Sequence, residues 1–254
     1  MNRTFPYIPV EQTFNDLVRG HGGAIILEEY YKEKTGKPPD FPNADYVFHS
    51  EKVVAELKCL MEDNSGSPNN QVKINAALER FYSAGKMKAK VIDEAAWPNL
   101  PKELQDEIYS ITTHSIRARV KKANRQIRET KAKLRLDSYS GVLFIANDGL
   151  VSMPPAAFIH ATLNCVEKDG ENINCFVFFT VNMFAVVKNT SVPVLFWMPM
   201  QMEKPEKVDD KFTKRIGVSW QAMIKKKLGV EFADHEIMDE DREAFWKAKN
   251  LPNG

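Results

Sequence analysis

The sequence predicts an α/β fold, a mixed central sheet flanked by helices, and three observations predict it. Short apolar runs bounded by turn residues, near 53–60, 141–146, 173–182 and 191–200, have the length and the Val, Ile and Phe content of buried strands. Longer stretches between and beside them carry helical spacing, most clearly over 115–136. The composition, 43% hydrophobic and 27% charged over 254 residues, is that of a globular chain long enough for one large domain or two small ones.

The elements follow in order. Residues 1–10, with Pro6 and Pro9, read as an extended arm. A helical pattern runs over 11–34 and is broken at Gly20-His21-Gly22-Gly23, its second part starting near Gly23 with Ala24, Ile25, Ile26, Leu27, Tyr30 and Tyr31 on a broad apolar side and Glu28 and Glu29 beside it. The glycines lack a preceding strand and a following G-K-[ST], so they read as a helix break and not as a phosphate cradle. Three prolines make 36–42 a loop. Helical patterns at 71–84 and 101–113 form a helical insertion near 64–113, a place where substrate contacts are often carried. After the 115–136 helix come the strand at 141–146, a helix opened by Pro154 and Pro155 that runs to about 166, and the two Phe- and Val-rich strands. Residues 1–203 thus make the α/β domain. Residues 204–254 are expected to be a helical extension packed on it: a helix over 211–228 ending in Lys225-Lys226-Lys227, an acidic stretch at 232–241, and a last helix docked by Phe245 and Trp246.

The most informative stretch is 43–60, two short strands joined by a polar turn. Alternation puts Glu56 and Lys58 on one face of the second strand with Val54 and Leu60, and Val53, Ala55, Leu57 and Cys59 on the other. Both faces are mostly apolar, so the strand is buried on both sides, and an acid and an amine there must be paired or bind a metal. A hairpin brings Asp45 near Glu56 across the turn. Asp40 is the neighbouring acid, five residues before the strand-like run.

Asp45, ten residues, then Glu56-Leu57-Lys58 resembles the PD-(D/E)xK nuclease superfamily, whose fold is restriction-endonuclease-like. The sequence departs from that pattern in having Ala44, not proline, before the aspartate, and in leaving little room for a first strand. The resemblance implies that Asp45 and Glu56 hold Mg²⁺ (or Mn²⁺), that Lys58 activates or positions the attacking water, and that Glu28 or Glu29 brings a further acid from the first helix. Hard divalent cations favour carboxylate oxygens, and an amine can stabilise charge developing on nucleophile or phosphate. The competing reading of the same residues is a buried structural ion pair between Glu56 and Lys58.

The helix over 115–136 carries an apolar stripe of Ile116, Val120, Ala123, Ile127 and Leu134, and nine cations against one acid, Glu129, elsewhere. Such a one-signed face fits a phosphate backbone, with Arg119, Lys122, Arg125 and Lys133 as nucleic-acid-binding candidates. Gln126 borders the buried side together with Arg119 and Lys122. The resemblance implies a glutamine or lysine on this helix beside the metal, a role carried to Gln126. DNA is therefore the expected partner, RNA the alternative, and a homodimer the assembly that the resemblance implies for cutting two strands. A noncatalytic nucleic-acid binder, or a module docking its basic helix on an acidic protein, are the readings from other classes. Net charge is only +1, so any affinity for nucleic acid must be local. Cys59, Cys165 and Cys175 form no C-x-x-C pair, which argues against a thiolate zinc site. The first residues lack a secretory apolar run and no stretch has eighteen consecutive apolar residues, so the expectation is a cytoplasmic protein without a membrane span. His114 and Asp148 read as an ordinary helix-entry residue and a turn residue.

Overall fold

The computed structural model describes residues 5–61, 67–88, 97–186, 194–229, 245 and 247–252. Six strands form the central sheet: β1 (Ala24–Ile26), β2 (Tyr46–Phe48), β3 (Val53–Leu60), β4 (Ser140–Asn147), β5 (Cys175–Thr180) and β7 (Trp197–Gln201), hydrogen-bonded in that spatial order. β1, β2 and β3 run as an antiparallel meander, β3, β4 and β5 are parallel, and β7 closes the far edge antiparallel to β5. The sheet is therefore mixed, and the central strands β3, β4 and β5 are buried on both faces, as their near-continuous apolar runs require.

Two helical layers cover it. α5 (His114–Leu134) and α6 (Pro155–Asp169) pack on one face, where Ile116, Val120, Ala123 and Ile127 meet Val54, Leu60, Leu143 and Ile145. On the other face lie α1 (Val10–Arg19) and α7 (Asp210–Leu228), with Phe14, Leu17, Ile216 and Trp220 against Ala55, Leu57, Phe144 and Phe179. The alternation expected for β3 holds residue by residue, because Val54 and Leu60 join the first core and Val53, Ala55 and Leu57 the second. α5 sits close to the sheet where β4 begins. A Cβ at Gly141 would fall 1.9 Å from the Asn172 carbonyl oxygen and 2.9 Å from Ile127 Cγ2, so glycine is what permits that approach. Between β3 and α5 the chain makes α3 (Pro68–Ser83), a 3₁₀ turn (Trp97–Asn99) and α4 (Lys102–Thr112), which share a small core of Ala77, Leu78, Phe81, Leu104 and Ile108.

Several elements differ from expectation. The second half of the 11–34 pattern is split: Gly23 takes a left-handed φ of 79°, Ala24–Ile26 pairs with β2, and α2 covers Leu27–Thr35. Sheet pairing thus overrides helical spacing in the β-branched Ile25-Ile26 pair. The strand expected over 173–182 ends at Thr180, and Asn182, with φ 56°, turns the chain into β6 (Met183–Val186). The strand expected over 191–200 is shifted, since β7 is Trp197–Gln201; 191–193 lie outside the described residues. α7 packs on the sheet through Phe212, Ile216, Trp220 and Ile224. Phe245, expected to dock a last helix, is helical and buried against Phe196, with its flanking residues outside the described ones; beyond it β8 (Lys249–Pro252) pairs antiparallel with β6. The acidic 232–241 stretch and Trp246 lie outside the described residues. Among the described residues no helix is long and apolar enough to cross a membrane.

Candidate active site

The β2–β3 hairpin sets the geometry. Its register pairs Tyr46 with Ala55, which carries Asp45 opposite Glu56 just beyond the end of β2. The two residues interlock. The Asp45 backbone N–H donates to Glu56 Oε2 at 3.0 Å, and the Leu57 N–H donates to Asp45 Oδ2 at 2.8 Å. Buried Lys58, two residues along β3, donates to Glu56 Oε1 and, at 3.0 Å, to Gln126 Oε1. Gln126 in turn donates through Nε2 to the Asn43 carbonyl at 2.6 Å. One turn further along α5, Thr130 Oγ1 accepts the Ala44 N–H at 2.7 Å. Gln126 and Thr130 are i and i+4 on one helix face, so α5 grips the segment that delivers Asp45 at two successive turns.

Asp45, Glu56, Lys58 and Gln126, four residues chosen from the sequence, are therefore brought together. Glu28 and Glu29 are not. Glu28 pairs with Lys32 and Glu29 with Arg19, all four exposed, on a helix that begins one strand later than expected. The acid of the first helix that does act on Asp45 is Glu11, in the first turn of α1, which raises the Asp45 pKa through space. Sequence reasoning missed it. Its signal is faint: an acid at the start of an amphipathic helix, with nothing local to say that this helix end lands beside the hairpin. Asp40, the other acid considered, is exposed on the approach loop.

The electrostatics are those of an acid pair short of positive charge. Burial pushes Glu56 up to about 8, with the Asp45 charge adding to it and Lys58 only partly opposing it. Burial also raises Asp45, against the Leu57 N–H and Lys58. Both carboxylates therefore favour a cation nearby. Both Glu56 oxygens accept hydrogen bonds, Asp45 Oδ2 accepts that of Leu57, and the two carboxyl groups lie within hydrogen-bonding reach of each other. Among those residues no group of three or more His, Cys, Asp or Glu side chains is gathered to hold an ion. The donor set on offer is two carboxylates, which suits Mg²⁺, an ion that keeps several of its waters. Cys59 adjoins Lys58, and burial, together with Asp148 and Glu11, pushes its thiol up to about 12, which keeps it a thiol in the metal-free protein.

The cations of α5 sort by side. Arg117 and Lys121 are held by Asp169, and Arg128 by Glu129. Arg119, Lys122 and Arg125 are exposed and have no carboxylate partner among the described residues. At about 100° per residue, Arg119, Lys122 and Lys133 lie within roughly 40° of Gln126, and Arg125 about 100° away. The unpaired charge thus lies mainly on the side of α5 that looks onto Lys58. Comparison with protein-family models, with curated proteins and with solved structures returns no match.

Proposed function

We propose that the chain is a divalent-metal-dependent nuclease that hydrolyses phosphodiester bonds, in DNA as the first candidate, built on a restriction-endonuclease-like version of its α/β fold. The observation that carries this reading is the convergence of Asp45, Glu56 and Lys58 on one face of the β2–β3 hairpin, with Gln126 of the basic helix on the lysine. A three-residue β1 is compatible with the first strand that the resemblance calls for and for which the sequence leaves little room. Asp45 and Glu56 would hold Mg²⁺ or Mn²⁺. Such an ion, when bound, polarises the phosphodiester and lowers the pKa of water. Lys58, held between Glu56 and Gln126, stands where it can orient the nucleophile and stabilise charge developing on the phosphate. Arg119, Lys122, Arg125 and Lys133 would follow the backbone. The test is cleavage of plasmid and linear DNA with Mg²⁺ or Mn²⁺ by the wild type and by Lys58→Ala. The expected outcome is loss of cleavage in the variant, and equal cleavage by both proteins sinks the reading.

A second reading has its own observation. Both Glu56 oxygens and Lys58 are already satisfied within the protein, as in a structural ion pair. A nucleic-acid binder without chemistry would then keep the basic side of α5. DNA binding with no cleavage and no metal uptake by the Asp45–Glu56 pair selects it.

A further inference from the structure

Beside the hairpin the fold lays out aromatic rings and amines in alternation. Tyr30, on α2, is 40% exposed and meets Tyr31 edge to face at 6.0 Å between centroids. Tyr31 meets Phe41 edge to face at 5.8 Å. The Lys34 amine lies 6.0 Å from the Tyr30 centroid, and Lys133 Nζ, from α5, lies 5.8 Å from that of Phe41. The order is Lys34, Tyr30, Tyr31, Phe41, Lys133, a ribbon joining three segments that are distant in sequence.

Its place in the fold gives it direction. Phe41 is four residues from Asp45, so their α-carbons are no more than about 14 Å apart. Lys133 is two helical turns, about 10 Å, along α5 from Gln126 and on the same side of it. The ribbon therefore leads from α2 into the acid–lysine centre. Pro38, Pro39 and Pro42 restrict the loop that carries Phe41, which lowers the entropy lost on binding. The acids of α2 are turned aside: Glu28, Glu29 and Glu33 lie about 100–150° round the helix from the middle of the Tyr30–Lys34–Tyr31 arc. Core packing explains Tyr31 in part, since it borders the cluster under α5. It does not explain exposed Tyr30, or amines placed at both ends of the aromatic run. Rings flanked by amines are the chemistry that binds unpaired bases on a phosphodiester backbone, whereas a duplex keeps its base faces stacked.

We infer that this ribbon binds single-stranded DNA, stacking unpaired bases on Tyr30, Tyr31 and Phe41 with Lys34 and Lys133 on the phosphates, and feeds that strand toward Asp45. The inference rests on the nuclease reading for where the strand goes, and not for its binding. The test is the affinity of the metal-free protein for a labelled, non-self-complementary DNA oligonucleotide, alone and annealed to its complement. The wild type is expected to prefer the single strand. Tyr30→Ala and Phe41→Ala should each weaken single-strand binding about tenfold, the loss of one stacked base, and Tyr30→Phe should restore it. Lys133→Gln should reduce the salt dependence of single-strand binding by about 0.7 in log–log slope. Tyr30 is exposed enough that its replacement leaves the core intact. A duplex preference in the wild type, or a Tyr30→Ala protein that binds the single strand as the wild type does, overturns the ribbon. If cleavage still depends on Lys58 in that case, the nuclease reading survives without it. Single-strand binding that depends on Tyr30, with no Lys58-dependent cleavage, sinks the nuclease and keeps the ribbon.

Discussion

Two buried acidic clusters lie at the edges of the same parallel strands, and they are built to opposite ends. Asp148, just past β4, gives each of its oxygens a neutral donor: the Tyr7 hydroxyl at 3.0 Å on Oδ2 and the Asn182 amide at 2.6 Å on Oδ1. Asn182 also brackets Ile8, accepting its N–H at 2.7 Å and donating to its carbonyl at 2.8 Å. The result is a clasp that ties the N-terminal arm across the sheet. The Asp45–Glu56 cluster instead sets two acids within hydrogen-bonding reach of each other and beside a buried amine. Burial raises the pKa at both places, so a raised pKa alone does not separate a clasp from a reactive centre. A second facing acid and a partner amine do.

The largest expected effect breaks that comparison directly. Asp45→Asn should lower the rate of DNA cleavage on the order of a hundredfold or more, because losing even an outer-shell partner of a metal commonly costs ten- to a hundredfold. Asp148→Ala should leave the rate per folded molecule close to wild type while lowering stability by about 1–3 kcal/mol, the cost of leaving the Asn182 amide without its acceptor. Cleavage rates and urea unfolding of the two variants decide. A clasp variant that stops cutting while still folded would merge the clusters into one functional unit.

Proton linkage comes next in size. The folded Glu56 keeps its proton to about 8, whereas the unfolded side chain loses it near its ordinary 4.5. Between those values the folded state binds more protons, so stability falls as pH rises across the window. Asp45 and Asp148, both held above their ordinary values by burial, add to the fall in the same sense. Unfolding free energy measured from pH 4.5 to 8 should therefore decline, and Glu56→Gln should flatten the decline whatever its offset. Mg²⁺ should also flatten it by replacing protons on the pair, while leaving the share due to Asp148. A slope that is the same with and without Mg²⁺, in a protein that cleaves DNA, would move the metal away from Glu56.

The legibility of the two clusters in the sequence differs for a physical reason. Asp45, Glu56 and Lys58 could be read because strand alternation and a short hairpin are local rules, and the register that pairs Tyr46 with Ala55 brings the acids together as a hairpin would. Gln126 was legible as a border position of a long, clearly amphipathic helix. What failed depended on distant pairing. Ile25 and Ile26 suit either helix or strand, and β2 decides for strand, which carries Glu28 and Glu29 out to solvent. β8 likewise forms by pairing with β6, more than sixty residues earlier, and no local pattern at 249–252 announces it. The clasp joins Tyr7, Asp148 and Asn182 across such separations, and the sequence marks Asp148 only as a turn residue.

The smallest expected effect tests how each cluster holds its backbone. Thr130 stands to the acid pair as Asn182 stands to Asp148, since each fixes a main-chain segment next to its acid. Thr130 is fully buried and is the acceptor for the Ala44 N–H. Valine has nearly the same shape and no acceptor, so Thr130→Val should cost about 1–3 kcal/mol through the orphaned N–H. If Thr130 only supports the fold, the loss ends there. If α5 positions Asp45, cleavage should also fall about tenfold, because an outer contact that orients a metal ligand is worth that much. Thr130→Ser, which retains the hydroxyl, should recover most of the rate while still lacking the buried methyl. Rate and stability recovered to the same extent would make the α5 grip structural. Recovery of rate ahead of stability would make it part of the machinery, a role for which the Asn182 clasp, holding an arm away from the acid pair, has no counterpart.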